Sequence, residues 1–154
     1  MTTIAFKDDI IAFDSQITCG DTLAGYCNDK VVKIVLPNKI VYVCAAGNAS
    51  ACTALINWAY TNFDPEQKPR VESNSEVLQG LIIEDTGKVF CIDIGFSPYL
   101  IKAPFLTIGC GGNIALGAMA AGASALEAVK IASKWDVNTG GKIHHFKIKF
   151  KETK

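Results

Sequence analysis

The chain opens with two short apolar runs, residues 2–6 and 10–13, on either side of the charged turn Lys7-Asp8-Asp9. β-prone residues flanking a polar turn predict an antiparallel hairpin, so the chain starts inside a sheet. Residues 14–28 are richer in Gly, Thr, Ser and Asp and carry no predicted element. Two more β-rich runs, 30–35 and 39–45, are separated by Leu36-Pro37-Asn38 and predict a second hairpin. Between residues 49 and 63 the apolar positions Leu55, Trp58, Ala59 and Phe63 recur at helical spacing, and Asp64-Pro65 ends the helix. Residues 66–76 are polar and predict a surface loop, the best place in the chain for an insertion or deletion.

The pattern then returns to strands. Residues 77–84 and 88–94 flank Asp85-Thr86-Gly87, a hairpin signal, and a further strand at 105–108 runs into Gly109-Cys110-Gly111-Gly112. An Ala- and Met-rich helix over 114–121 is interrupted at Gly122, and Ser124 with Glu127 forms a capping-box pattern that restarts a helix through Ser133. The tail alternates, with Phe146, Ile148 and Phe150 on one face and His145, Lys147, Lys149 and Lys151 on the other, which predicts a half-exposed strand. Strands, helix, strands, two helices and a strand, without an internal repeat, predict helices packed on mainly antiparallel sheets, an α+β fold.

Composition narrows the function classes. A chain of 154 residues with 49% hydrophobic and 19% charged residues fits one globular domain, here placed at residues 2–151 with a short tail at 152–154. Fifteen basic and fifteen acidic side chains cancel, so no global field recruits nucleic acid or an anionic membrane. Alternate lysines in the last strand read as protection of a sheet edge. The six cysteines stand singly, with no C-x-x-C and no His at zinc spacing, and read as reduced thiols. The adjacent His144 and His145 point to opposite faces of a strand and make no chelating pair. No metal and no cofactor is expected. The stretch Gly109–Gly112 lacks the Lys-Ser/Thr end of a phosphate loop and the third glycine of a dinucleotide fingerprint. Neither a secretory leader nor a bilayer-length apolar run is seen, which predicts a cytoplasmic protein.

Thr2 follows the initiator Met1 directly. A threonine hydroxyl is a weak nucleophile without a base, and a free α-amine on the same residue can serve as that base because its pKa lies near 8. By itself Thr2 reads more simply as an ordinary polar second residue. Lys30 and Asp14 alone read as a surface ion pair, Gly47 as a tight strand-to-helix turn, and Asp136 with Thr139 as an Asx-type turn. Their order and spacing change this. The segments TTIAFKDDIIAFDS, DKVVKI, AAGNASA, IGCGG, GAMAAGAS and DVNTGG together resemble the β-type subunits of the proteasome and the bacterial HslV peptidase, over residues 2 to about 150.

The resemblance implies a four-layer αββα sandwich of two antiparallel sheets flanked by helices, the N-terminal nucleophile hydrolase fold. It places Thr2, once Met1 is removed, on the nucleophile, Lys30 on the lysine beside it and Asp14 on the acid that holds that lysine. Gly47 falls on the oxyanion-hole glycine, and Asp136 and Thr139 on the loop that contacts the nucleophile's amine and hydroxyl. Cys110 departs from the family, standing where a serine usually bonds the amine. The short, polar segment 64–76 departs too, and is similar to compact proteasome-like proteins of bacteriophages. Val32, Ala46 and Ala49 fall on the specificity pocket and imply an apolar preference. The implied activity is threonine-type endopeptidase action on unfolded polypeptides or peptides inside homo-oligomeric rings, fed by an ATP-dependent unfoldase. The alternatives are a catalytically silent ring subunit and a non-peptidase amide hydrolase of the same architecture.

Overall fold

The computed structural model describes residues 1–70 and 76–152, so residues 71–75 of the expected 66–76 loop and 153–154 of the expected tail lie outside the described residues. The chain divides into two compact units, one of residues Met1–Lys30 with Ala103–Lys149, the other of Val31–Lys102 with the segment from Phe150.

In the first unit, β1 (Thr3–Lys7) and β2 (Ile10–Phe13) form the expected opening hairpin, turning at Asp8 with φ 58°. With β10 (Phe105–Gly109) and β11 (His144–Lys147) they make an antiparallel sheet of order β10-β1-β2-β11. Helices α2 (Gly112–Ala120) and α3 (Ala125–Trp135) cover one face. Their core is mostly alanine: Ala5 and Ala12 from the sheet meet Ala115, Met119, Ala125, Ala128, Val129 and Ala132 from the helices. Small side chains on both surfaces let helix and sheet backbones come close, and the sequence writes this as the Ala-rich run after Gly112.

The break between the two helices follows the expected chemistry. The Ser124 side chain accepts from Glu127 N–H at 3.2 Å, and the Glu127 carboxylate accepts from Ser124 N–H at 2.9 Å, a complete capping box. Lys7 closes the other side of the break, its Nζ donating to Ala123 O at 2.8 Å and to Met119 O at 3.3 Å. A cation at these carbonyls, one in the last turn of α2 and one just beyond it, is favourably placed at the negative end of the helix.

Residues 14–28, without a predicted element, contain the hairpin β3 (Gln16–Cys19) and β4 (Thr22–Tyr26), a separate two-stranded sheet. Its strands are only four and five residues long, β3 half-buried and β4 largely exposed, so no sustained pattern marks them in the sequence. The hairpin is tied to the loop that follows α3. Ser15 N–H and Gln16 N–H donate to Gly140 O at 3.1 and 3.0 Å, and Gln16 Nε2 donates to Val137 O at 2.9 Å.

The second unit is a five-stranded antiparallel sheet of β5 (Val31–Val35), β6 (Ile40–Gly47), β7 (Leu78–Glu84), β8 (Val89–Asp93) and the two-residue β9 (Tyr99–Leu100), paired in chain order. The expected hairpins 30–35/39–45 and 77–84/88–94 are both present; β9 is too short for a sequence pattern. Helix α1 (Ala49–Tyr60) packs on β5, β6 and β7 through Ala51, Leu55, Trp58 and Ala59, against Val41, Val43, Leu78 and Ile82 among others. It ends three residues before the expected Phe63 because Asn62 and Phe63 adopt φ of 57° and 56°. That reversal turns the Phe63 ring edge-on to Trp58, centroids 5.3 Å apart, so Phe63 meets the expected helical face without being helical.

The tail also departs from expectation. The β11 ladder stops at Lys147, and the tail is next held by Ile148 N–H to Asp9 O at 2.7 Å. In the second unit, Lys151 N–H donates to Asp85 O and its Nζ to Asn38 O, both at 2.7 Å. Phe150 is therefore 40% exposed, where strict alternation predicts an inward ring. β11 is an edge strand with exposed Lys147, as its lysine pattern suggests. Both units are antiparallel sheets carrying helices, the α+β class read from the sequence.

Candidate active site

The first unit gathers six of the seven singled-out residues. Asp14 follows β2 directly and is fully buried. Its Oδ1 accepts from Thr3 N–H at 2.9 Å and from Lys30 Nζ at 2.9 Å, and its Oδ2 accepts from Gly140 N–H at 3.0 Å. A surface ion pair is excluded, because the Lys30 side chain is only 3% exposed. All three ammonium protons of Lys30 are committed: to Asp14, to Gln16 O at 2.6 Å and to Met1 O at 3.1 Å. Burial holds the Lys30 pKa below the ordinary lysine value, against the opposing pull of the Asp14 carboxylate.

The last of these bonds brings the lysine to Thr2, since Met1 O belongs to the peptide bond that carries the Thr2 nitrogen. Thr2 is 7% exposed, and its backbone oxygen accepts from Cys110 N–H at 2.9 Å. Among the described residues its hydroxyl enters no hydrogen bond, yet it is not one of the sealed, unpartnered side-chain atoms. The neighbouring hydroxyl behaves in the opposite way. Thr3 is fully buried, and its Oγ1 accepts from Gly111 N–H at 3.0 Å and lies 2.6 Å from Thr139 Oγ1. Strand alternation sends consecutive threonines to opposite faces.

Thr139 in turn donates to Asp136 Oδ2 through a short hydrogen bond, and Cys110 Sγ donates to the same oxygen at 3.0 Å. Burial pushes the Asp136 pKa up, but its bonds from Thr139, Cys110 and Asn138 N–H, with the N-terminal ammonium, hold it below the ordinary carboxylate value. The Cys110 thiol is raised, first by burial and then by the Asp136 carboxylate beside it, so it is a proton-bearing donor here. Gly111 is indispensable to this packing: a Cβ there would collide with Thr3 Oγ1 and crowd Thr139 Oγ1 at 2.8 Å. Gly47 ends β6 in the second unit with φ 128°, where a Cβ would strike the Val77 carbonyl oxygen.

Sequence reasoning missed Thr3 and Gly111. The signals were the paired threonines at the start of β1 and the glycine after Cys110, each compatible with simple strand and turn roles. Among the described residues no group of three or more His, Cys, Asp or Glu could hold a metal ion. No helix among them is long and apolar enough to cross a membrane.

No family model matches the chain, and no curated protein matches it. Solved structures do. BPH of Thiobacillus denitrificans in complex with epoxomicin matches with a TM-score of 0.65 over 96% of this chain and 98% of that one, at 19% identity. The same protein without that ligand gives 0.63 at 19% identity, over 96% of this chain and 97% of that one. Eukaryotic HslV from Trypanosoma brucei gives 0.68 over 94% of this chain and 97% of that one, also at 19% identity. The chain has the HslV fold. The HslV-like likeness covers both units nearly end to end, so the resemblance drawn from six short segments holds for the whole architecture.

Proposed function

We propose that this protein is a threonine-type peptidase whose nucleophile is Thr2 after loss of Met1. The observation that carries the reading is the contrast between two adjacent threonines: the Thr3 hydroxyl is locked in a hydrogen-bond chain, whereas among the described residues the Thr2 hydroxyl is unbonded, on a residue whose preceding peptide oxygen accepts from a buried ammonium. In this reading the Thr2 hydroxyl attacks a peptide carbonyl, and its own amine, directly or through water, takes the proton. Loss of Met1 removes one acceptor from Lys30, freeing one N–H to stabilise the developing alkoxide. Asp14 keeps that ammonium charged and oriented, while Asp136, Thr139 and Cys110 set the polarity around the amine. The tetrahedral adduct then collapses, its C–N bond breaking as the Thr2 ammonium returns the proton to the departing amine, and water hydrolyses the ester left on Thr2. Gly47, as oxyanion donor, and the apolar pocket of Val32, Ala46 and Ala49 enter through the sequence resemblance alone.

The HslV fold supports homo-oligomeric rings that enclose the sites, an unfolded polypeptide substrate, an ATP-dependent unfoldase and a cytoplasmic setting, with residues 2–151 acting as one domain. The unbonded Thr2 hydroxyl and the paired Lys30 favour an active subunit over a silent one. Hydrolysis of N-blocked peptide amides tests the proposal. Thr2→Ala is expected to abolish turnover, and Thr2→Ser to retain a reduced rate. Equal turnover by Thr2→Ala and the parent chain would overturn it.

A further inference from the structure

We propose that Thr3 is a positioning residue of this site: its buried hydroxyl holds the Thr139 hydroxyl in place against Asp136 while its backbone N–H supports Asp14. The inference rests on the reading of Thr2 as nucleophile. In the 2.6 Å contact between Thr3 and Thr139 either oxygen could donate, and the surroundings decide which does. Gly111 N–H can only donate, so Thr3 Oγ1 accepts there. The Asp136 carboxylate can only accept, so the single Thr139 proton goes to Oδ2. One proton remains, and it runs from Thr3 to Thr139. The chain is thus directed from Gly111 N–H through Thr3 and Thr139 to Asp136 Oδ2, to which the Cys110 S–H also donates.

Without the Thr3 hydroxyl, Thr139 loses the donor that fixes the place of its oxygen, and its bond to Asp136 is held from one side only. The close approach of Gly111 leaves no space for a replacement side chain on that loop. Thr3 N–H meanwhile shares Asp14 Oδ1 with Lys30. One residue, covalently next to the nucleophile, therefore touches Asp14 directly and reaches Asp136 through Thr139. Only the Asp136 half depends on its side chain, so a substitution there separates the two.

The test is the rate at which an N-terminal-threonine reagent, a β-lactone, acylates the Met1-free chain, followed by intact mass across a pH series. Thr3→Val keeps the β-branched shape and the N–H. It is expected to acylate about tenfold to a hundredfold more slowly, as mispositioned catalytic groups do. Its acidic limb should also move to higher pH, because Asp136 loses part of the hydrogen bonding that favours its charged form. Thr3→Ser restores both rate and limb. Should the valine variant fail to fold by circular dichroism, Thr3→Ala removes the hydroxyl without forcing a methyl against Gly111 N–H, and the same slowing is expected. Acylation of a folded Thr3→Val or Thr3→Ala chain at the parent rate and pH dependence overturns the inference alone. Absence of any adduct on the parent chain overturns the nucleophile reading first and the inference with it.

Discussion

Lys30 and Asp14 are both shut away from water, so each depends on the other for its charge. Removing one partner of a buried pair leaves an uncompensated charge and typically costs about 3–5 kcal/mol. Lys30→Met is expected to lower unfolding free energy by about that amount in urea titrations and to stop acylation of Thr2. A loss under about 1 kcal/mol, the range of an exposed pair, would contradict the burial described here. Asp14, Lys30, Asp136 and Thr139 were legible only as an ordered set, since every one of them alone has a simpler local explanation. Thr3 was not legible, because its role depends on Gly111 and Thr139, 108 and 136 positions away in the chain. No local pattern encodes that meeting.

At the scale of elements, sequence reading succeeded where local chemistry dictates conformation. The Ser124/Glu127 box sets the start of α3, and Ser124→Ala should cost about 1 kcal/mol in thermal or urea unfolding while leaving Thr2 acylation unchanged. A matching loss of acylation would mean that α3 positions the Asp136 loop more directly than its capping contacts indicate. The reading failed where tertiary contacts override local signals. Phe63 satisfies its helical spacing by folding back on Trp58, and the β3–β4 hairpin forms from two short strands tied to the Asp136–Gly141 loop. That hairpin also carries Thr18 Oγ1, which accepts from the Met1 ammonium at 3.0 Å.

For the whole molecule, an HslV fold at 19% identity means that the same architecture is built here from largely different side chains. The Ala- and Met-rich helix after Gly112 was readable from composition, whereas its alanine contact with the sheet and the place of Gly111 against Thr3 arise only from packing. Assembly was not readable from pattern, since an interface is one more apolar surface on a chain already rich in them. If rings form, native mass measurement will find a multiple of the 16.5 kDa chain that persists on dilution, whereas monomer at every concentration would remove the chamber from the proposal. The central claim, that Thr2 is an N-terminal nucleophile, is tested most directly by intact-protein mass spectrometry before and after incubation with epoxomicin. We predict a chain lacking Met1 that gains one adduct, and no adduct on Thr2→Ala; a chain that lacks Met1 and stays unmodified, or a Thr2→Ala chain modified equally, would contradict it.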